Sequence, residues 1–289
     1  MSADTNIVKL ALPKGRMKEG VFTLLKAAGI KVSLGSREYR PGISLPDFEV
    51  KVLKPQNIVE MLHIGSRDIG FAGADWVREL NADLVELLDT EMDPVRIVAA
   101  APDNLLNNGE LPTTHMIIAS EYQVLGNEWI KKLGLNATLV RSYGATEVFP
   151  PEDADCIIDN TATGSTLRAN NLTIVDELMR SSTRLYAHPR SLENPVKREA
   201  AEKLVLLLSS VLEARKRVMV ELNVSKENVE SVISVIPCMR EHTMAALHND
   251  AGFAVRAAIP RKDLAAIIPE IKARGGTDIV VTEISNIIP

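Results

Sequence analysis

The chain has 289 residues, of which 46% are hydrophobic and 25% charged, and this ordinary globular composition predicts two domains or slightly more. Its net charge of −5 argues against general nucleic-acid binding, because no broad basic face is available and any phosphate-binding site must be local. No apolar run approaches the ~20 residues that span a bilayer, so no membrane segment is expected. The N-terminus lacks signal-peptide features and two cysteines make no disulfide framework, which together favour a cytoplasmic location.

Strand and helix signals alternate through the first two thirds of the chain, which predicts an α/β fold. Strands are expected at residues 7–12, 48–53, 69–72, 96–101, 114–119 and 137–140, and helices at residues 18–28, 55–63, 75–79 and 129–133. This order places the polar loops that follow strands at sheet edges, where open α/β folds bind ligands. Two such units are expected, with a boundary near Asp93 and Pro94.

The loop at residues 159–166 is the most informative segment, and it follows a short apolar strand at residues 156–158. The hydroxyl residues Thr163, Ser165 and Thr166 surround Gly164, and with backbone N–H groups and a helix expected from residue 167 they can hold a phosphate. Asp159 at the strand end can accept hydrogen bonds from sugar hydroxyls. The segment therefore favours a phosphoribosyl site, and the alternative is a Ser/Thr-rich turn that caps a helix.

Four further segments also place charged or small residues after apolar runs: 10–16, which ends in Lys14-Gly15-Arg16, and 54–58, 68–75 and 144–147. With the loop, these segments resemble the ATP phosphoribosyltransferase family, in the long form that carries its own C-terminal regulatory domain. Asn160 stands where that family usually has an aliphatic residue. The resemblance covers essentially the whole chain. It implies transfer of the phosphoribosyl group from phosphoribosyl pyrophosphate to N1 of ATP, with release of pyrophosphate, as the first step of histidine biosynthesis.

The resemblance also implies the architecture: a two-lobed catalytic part like the periplasmic binding proteins, followed by the regulatory domain. Lobe I is expected to comprise residues 1–95 with 181–215, lobe II residues 96–180 with the phosphate loop, and the regulatory domain residues 216–289. A long helix is predicted with Asn194 as its N-cap and Pro195 at its first position, and with residues 205–208 buried. Mg²⁺ is the implied cofactor, and dimers and hexamers are the implied assemblies.

The candidate site residues follow from these motifs and from the resemblance. Asp159 and Glu147 are the candidate catalytic acids, which would hold the ribose hydroxyls or a magnesium-bound water. The candidate substrate-binding residues are Lys14, Arg16, Lys54, Asp75, Thr161, Ala162, Thr163, Gly164, Ser165 and Thr166. No protein ligand is assigned to the metal, because the substrate oxygens and water would supply most ligands.

Each of these assignments has an ordinary structural alternative. Lys14 and Arg16 could be a solvated helix start, although positive charge in a first turn opposes the helix dipole unless an anion offsets it. Asp75 could cap its helix. Glu147 could be an exposed acid at a strand end, and Lys54 could be a surface residue.

The last third of the chain has a different pattern. Strands are predicted at residues 218–223, 234–237, 252–259 and 278–283, and helices at residues 225–231, opened by a Ser/Glu capping arrangement, and 261–274. The resulting β-α-β-β-α-β order is the ferredoxin-like unit. The resemblance implies that this domain binds histidine as a feedback inhibitor. The candidate effector residues are Asn223, Met239, Glu241, Thr243 and Ala258, and Glu241 could equally be a surface acid.

Other function classes find less support in the sequence. Cys238, His242 and His248 lack a fourth ligand for a zinc site. There is no Gly-x-x-x-x-Gly-Lys-Ser/Thr loop and no Gly-x-Gly-x-x-Gly motif, which disfavours ordinary kinases and dinucleotide-dependent dehydrogenases. Two alternatives stay open: a cytoplasmic ligand sensor with the same two-lobed fold, and a phosphoribosyltransferase that uses another acceptor base.

Overall fold

The computed structural model of the chain describes residues 6–33, 39–239 and 241–288, and these residues form a mixed α/β protein. The chain divides into two compact units, one of Met1–Lys26 with Ile30–Lys203 and the other of Ala27–Gly29 with Leu204–Pro289. Among the described residues, no helix combines the length and apolar character needed to cross a membrane.

The first unit contains ten strands, named here in chain order within the described residues. They are β1 (Val8–Pro13), β2 (Val32–Ser33), β3 (Gly42–Ile43), β4 (Phe48–Leu53), β5 (Ile69–Gly73), β6 (Val85–Pro102), β7 (Met116–Ser120), β8 (Ala137–Arg141), β9 (Cys156–Thr161) and β10 (Leu172–Ala187). The helices are α1 (Met17–Ala27), α2 (Pro55–His63), α3 (Ala74–Glu79), α4 (Gln123–Leu133), α5 (Ser165–Ala169), α6 (Pro189–Glu193) and α7 (Pro195–Arg215), the last of which continues into the second unit.

Eight of these strands form one mixed sheet in the order β4-β1-β5-β10-β6-β9-β7-β8. β1 is parallel to β4 and β5, and β7 is parallel to β8 and β9, whereas the long strands β6 and β10 are antiparallel to each other and to their outer neighbours. Gly73, at the end of β5, lies opposite Thr183, and Thr161, at the end of β9, lies opposite Arg96, which pairs with Arg180. The two parallel sets therefore point their carboxyl ends toward each other, which places a ligand cleft at this level of the sheet.

The two long strands differ most from the prediction. The sequence predicted a strand at residues 96–101, but β6 begins at Val85, and no strand was predicted for β10. The missed half of β6 is polar and irregular: Glu91 and Asp93 have positive φ angles of 57° and 48°, and the ladder skips Pro94. Proline cannot donate to a ladder, so a bulge is the place in a strand that accepts it.

The core of the first unit lies on both faces of the sheet. All five residues of β5 are buried, as expected for a strand covered on both sides. The helix α7 begins as predicted, because Asn194 Oδ1 accepts the Val196 N–H at 2.9 Å. The prediction that residues 205–208 are all buried was wrong. Leu208 is fully buried but Leu206 is 49% exposed, because four consecutive helical residues cannot share one face.

The second unit contains β11 (Arg217–Val224), α8 (Val229–Ile233), β12 (Thr243–Ala246), β13 (Phe253–Pro260), α9 (Leu264–Ala273) and β14 (Thr277–Glu283). Its strands form an antiparallel sheet in the order β12-β13-β11-β14, which confirms the ferredoxin-like β-α-β-β-α-β order. Alternate residues of β11 from Val218 to Val224 are buried, and Ile267 and Ile271 of α9 belong to the same core.

Three details of the second unit were predicted wrongly. The second strand is β12, and residues 234–237 form a turn from which Ile236 is buried in the core. The helix α8 begins at Val229 after Asn228, which makes no side-chain cap, so the expected capping role of Ser225 is absent. A 3₁₀ turn, Arg261–Asp263, replaces the start of the predicted last helix.

Candidate active site

Two adjoining cavities occupy the level where the strand ends meet in the first unit. The first, of about 390 Å³, is lined by Lys14, Gly15, Arg16, Met17, Lys54, Pro55, Gln56, Gly73, Asp75, Trp76, Asp93, Val95, Tyr122, Asn160, Ser181, Ser182 and Thr183. The second, of about 400 Å³, is lined by Arg16, Glu121, Gly144, Ala145, Thr146, Glu147, residues 159–163 and residues 165–167. Arg16 and Asn160 line both cavities. The structure thus brings every predicted substrate-binding and catalytic residue to the cleft, with Gly164 forming the turn of the loop.

The predicted phosphate loop forms one side of the second cavity. Gly164 has a φ of 74°, a left-handed conformation that glycine adopts without strain, and its N–H donates to Thr161 Oγ1 at 2.9 Å. This bond closes the turn, after which α5 begins at Ser165, two residues earlier than predicted. Thr161 is buried, whereas Thr163, Ser165 and Thr166 are exposed, so their hydroxyls are available to an anion.

Acidic side chains face the loop across the second cavity. Burial and the nearby charges of Glu147 and Glu121 raise the pKa of Asp159 to about 6. A hydrogen bond from the Asn160 N–H at 2.7 Å lowers this pKa and so offsets part of the rise. Glu147 lies on a 3₁₀ turn that follows Ala145, which has a left-handed conformation. A hydrogen bond of 2.8 Å between the buried hydroxyls of Ser142 and Thr146 holds this turn.

Basic side chains line the first cavity. Gly15 has a φ of 76°, and this turn places Lys14 and Arg16 on the cavity wall directly after β1. The Lys14 N–H donates to the Leu53 carbonyl at 2.8 Å, which fixes the end of β1 beside the end of β4. Lys54 is exposed immediately before α2. The three cations therefore share one side of the cleft, and Arg16 also reaches the cavity that contains the loop and the acids.

Asp75 is buried, with 5% exposure, at the floor of the first cavity. It lies in the first turn of α3 but is not the N-cap, which is Gly73. Its Oδ1 accepts from the Ser181 hydroxyl at 2.6 Å and its Oδ2 from the Tyr122 hydroxyl at 2.7 Å. The alternative that Asp75 caps its helix is therefore wrong, because the carboxylate instead joins α3 to two other elements.

The sequence analysis missed several residues that line the cleft: Asp93, Glu121, Tyr122, Ser181, Ser182 and Thr183. Glu121 and Tyr122 follow the end of β7, so the rule that placed Asp159 after a strand could have found them. The three hydroxyl residues lie within β10, which had no strand prediction. Thr183 Oγ1 donates to Asp93 Oδ2 at 2.8 Å, across the bulge between the two long strands.

The candidate effector residues lie in the second unit but not all together. Thr243 pairs with Arg256 on β13, two residues from Ala258. Asn223 lies opposite Ala254, four residues or roughly 13 Å along the same strand from Ala258, and its amide donates to Asp278 Oδ2 at 3.0 Å. Met239 and Glu241 flank Arg240, which lies outside the described residues. Cys238 Sγ is 4.0 Å from His242 Nδ1, and no group of three potential metal ligands occurs among the described residues.

The fold and the cleft together define a two-lobed α/β protein whose site combines a cationic cavity, a hydroxyl loop and ionisable acids. The sequence profile of ATP phosphoribosyltransferase matches residues 54–210, and that of the HisG C-terminal domain matches residues 214–286. The chain belongs to the ATP phosphoribosyltransferase family, in the long form with a C-terminal domain.

Individual relatives agree over the full length. The chain is 34% identical to the ATP phosphoribosyltransferase of Pelotomaculum thermopropionicum, covering 98% of this chain and 99% of the relative. It is 35% identical to that of Chlorobium luteolum, covering 100% of both. Among solved structures, an ATP phosphoribosyl transferase (HisG:HisZ) complex from Thermotoga maritima aligns with a TM-score of 0.64 and 29% identity, covering 72% of this chain and 99% of that chain.

Proposed function

We propose that the chain transfers the phosphoribosyl group of phosphoribosyl pyrophosphate to N1 of ATP and releases pyrophosphate, the first step of histidine biosynthesis. The observation that carries the proposal is the arrangement of the two cavities. A hydroxyl loop and a carboxylate, suited to a ribose 5′-phosphate, adjoin a cavity whose cations suit a polyphosphate, and Arg16 lines both.

The proposed mechanism needs little proton transfer. Pyrophosphate leaves C1 of the ribose while N1 of adenine attacks from the opposite face, so positive charge develops on the ribose ring and negative charge on pyrophosphate. Asp159 and Glu147 hold the ribose hydroxyls and stabilise the cationic ring, and Arg16, with Lys14 and Lys54, stabilises the phosphates. The loop at residues 161–166 anchors the 5′-phosphate and converts that binding energy into orientation at C1.

Mg²⁺ is the proposed cofactor. Oxygen ligands suit this cation, and Glu121, Glu147 and Asp159 line the second cavity. No three acids among the described residues form a metal-binding group, so the ion would take most of its ligands from the substrate pyrophosphate and water. Bound there, it would neutralise charge on the leaving group.

Histidine is the proposed feedback inhibitor and the second unit its proposed binding domain, with Asn223, Met239, Glu241, Thr243 and Ala258 as candidate contacts. The proposal is supported by a second compact unit, which contains the ferredoxin-like sheet and no residue that lines the cleft. Dimers and hexamers are the proposed assemblies, and a histidine pocket between subunits would couple assembly to inhibition.

The reaction is tested by a coupled assay for pyrophosphate release with both substrates. We expect release only when ATP and phosphoribosyl pyrophosphate are both present, with formation of N1-phosphoribosyl-ATP detected by mass spectrometry. Replacement of ATP by other bases and nucleotides identifies the acceptor. Release with another acceptor but not with ATP would contradict the proposal, as would binding of either substrate without any turnover.

A further inference from the structure

The amide side chain of Asn160 lies between the two cavities. It directly follows the candidate catalytic Asp159, and it lines both cavities. Its Nδ2 atom is 3.3 Å from the Tyr122 hydroxyl oxygen and 3.3 Å from Asp159 Oδ1. One side chain therefore contacts a residue that lines the first cavity and a residue that lines the second.

The hydrogen-bond chain that contains Asn160 has a fixed direction. The Asn160 amide nitrogen can only donate, so the Tyr122 oxygen accepts from it and Tyr122 donates its own proton to Asp75 Oδ2. Burial and the charge of Asp75 raise the pKa of Tyr122 well above its ordinary value, which keeps the hydroxyl protonated. Asn160 then donates to Tyr122 and to Asp159, and the Ser181 hydroxyl completes the anchor at Asp75 Oδ1.

We propose that Asn160 is a positioning residue that holds the Asp159 carboxylate in place through this chain anchored at Asp75, and thereby couples the two cavities. The inference rests on the proposed role of Asp159. Asp75 and Tyr122 are buried, with Tyr122 only 1% exposed, so the anchor is rigid, whereas Asp159 faces the cavity. Asn160 thus links a fixed group that lines the first cavity to the carboxylate that lines the second.

The carboxylate needs such an anchor because its neighbours repel it. Glu147, from the 3₁₀ turn after β8, and Glu121, after β7, are like charges, and β6 places the apolar Val98 beside Asp159. Arg16 lines the same cavity. The Asn160 amide and N–H are donors to the Asp159 carboxylate, so loss of the amide would favour its protonation.

The test is Asn160→Leu, which nearly keeps the size of the side chain and removes the Nδ2 hydrogen bonds to Tyr122 and Asp159, while the backbone N–H that donates to Asp159 remains. We expect kcat to fall about tenfold with a smaller change in KM, and the acidic limb of the kcat/KM profile for phosphoribosyl pyrophosphate to move up by on the order of half a unit. The matched control is Asn127→Leu, which removes an amide hydrogen bond to the Gln123 carbonyl on the exposed face of α4 and should leave the profile unchanged.

Tyr122→Phe tests the same chain from its other end while Asn160 remains. We expect the acidic limb of the kcat/KM profile to move in the same direction as in Asn160→Leu. The double variant should lose no more kcat than the less active single variant, because both substitutions break the same hydrogen-bond chain. Additive effects, or an unchanged pH profile in both single variants, would overturn the proposal.

Titration of the Asp159 carboxyl by carbon-13 NMR separates this inference from the proposed role of Asp159. A raised carboxyl pKa in Asn160→Leu supports the positioning role whatever the activity. If Asp159→Asn is fully active, the role of Asp159 fails. If Asp159→Asn is inactive but Asn160→Leu titrates and turns over like the unaltered protein, only the positioning role fails.

Discussion

Asp159 is an acid whose surroundings disfavour its charge, which is the expected condition of a group retained for function. The raised pKa, about 6 against an ordinary 3.8, means that the folded protein holds this proton more tightly than the unfolded chain. Above about pH 6 Asp159 is ionised in both the folded and the unfolded state, and the buried charge lowers the free energy of unfolding by its full amount. This destabilisation disappears as the pH falls toward 4.

We therefore expect Asp159→Asn to lower kcat severely and to raise stability by on the order of 1–3 kcal/mol at pH 8, with little gain at pH 4. For the unaltered protein, kcat/KM should rise with pH through about 6 as Asp159 ionises. Thermal unfolding and initial rates across this range test both. Asp153→Asn, at an exposed acid nearby in sequence, is the control, and a lowered melting temperature with normal activity in Asp159→Asn would indicate a structural acid instead.

The phosphate loop gives a second prediction at the scale of residues. Thr166→Ala should weaken binding of phosphoribosyl pyrophosphate by about 1–3 kcal/mol, or roughly 5- to 150-fold in KM, because a hydroxyl to a charged phosphate is lost. Gly164→Val should be worse, since its φ of 74° is strained for a β-branched residue.

The control for the loop is Thr173→Ala, an exposed threonine on β10. Steady-state kinetics with each substrate varied in turn distinguish the loop from the nucleotide cavity. Unchanged KM values for phosphoribosyl pyrophosphate in both loop variants would show that the 5′-phosphate does not bind at this loop.

Among the elements, the six-residue helix α3 stabilises the start of α4, a role that the sequence alone did not indicate. The Glu79 carboxylate at its end accepts the backbone N–H groups of Gln123, Val124 and Leu125 at 2.6–3.1 Å, and so caps α4 from a distant part of the chain. Tyr122, at the N-cap position itself, provides no side-chain cap. A carboxylate at this end also suits the helix dipole.

We expect Glu79→Gln to destabilise the protein by about 1–3 kcal/mol, because it removes a charge from three backbone donors that are partly or fully buried. Glu128→Gln is the matched control: Glu128 is half exposed on α4 and pairs with Arg78, and such pairs contribute about 0–1 kcal/mol. Urea unfolding measures both. Equal losses of unfolding free energy in the two variants would show that the Glu79 cap stabilises the protein no more than the surface ion pair does.

Elements with a local signal were predictable, and elements defined by distant partners were not. The ends of α2 were predicted to the residue because Pro55 begins it and Gly65 follows it. The apolar run at residues 156–158 predicted a strand that ends at Asp159, but β9 continues through Asp159 to Thr161. The apolar residues of β10 are interrupted by Asp176, Glu177, Arg180 and a run of hydroxyl residues, and β10 is ordered by pairing with β5 and β6. The Glu79 cap depends on a contact with Gln123, 44 residues away. Such long-range pairing has no local sequence signal.

At the scale of the whole molecule, the fold class followed from the alternating elements and the resemblance, and the histidine role of the second unit stays a prediction. Truncation after Arg215, the end of α7, should abolish inhibition by millimolar histidine while the cleft residues remain. Activity would also fall if assembly requires this unit. Rates with and without histidine, circular dichroism and oligomer size are measured on both forms. Equal inhibition of the two forms would place histidine in the catalytic cleft.

The central position of β10 in the eight-stranded sheet has a consequence for the nascent chain. β10 is the last strand of this sheet in chain order, yet it lies between β5 and β6, which are made about 70 to 120 residues earlier. Until residue 187 leaves the ribosome, the facing edges of β5 and β6 have no partner, and unpaired strand edges recruit other chains. Synthesis therefore includes a long interval in which these two strand edges are unpaired, and during that interval the incomplete sheet is exposed to aggregation.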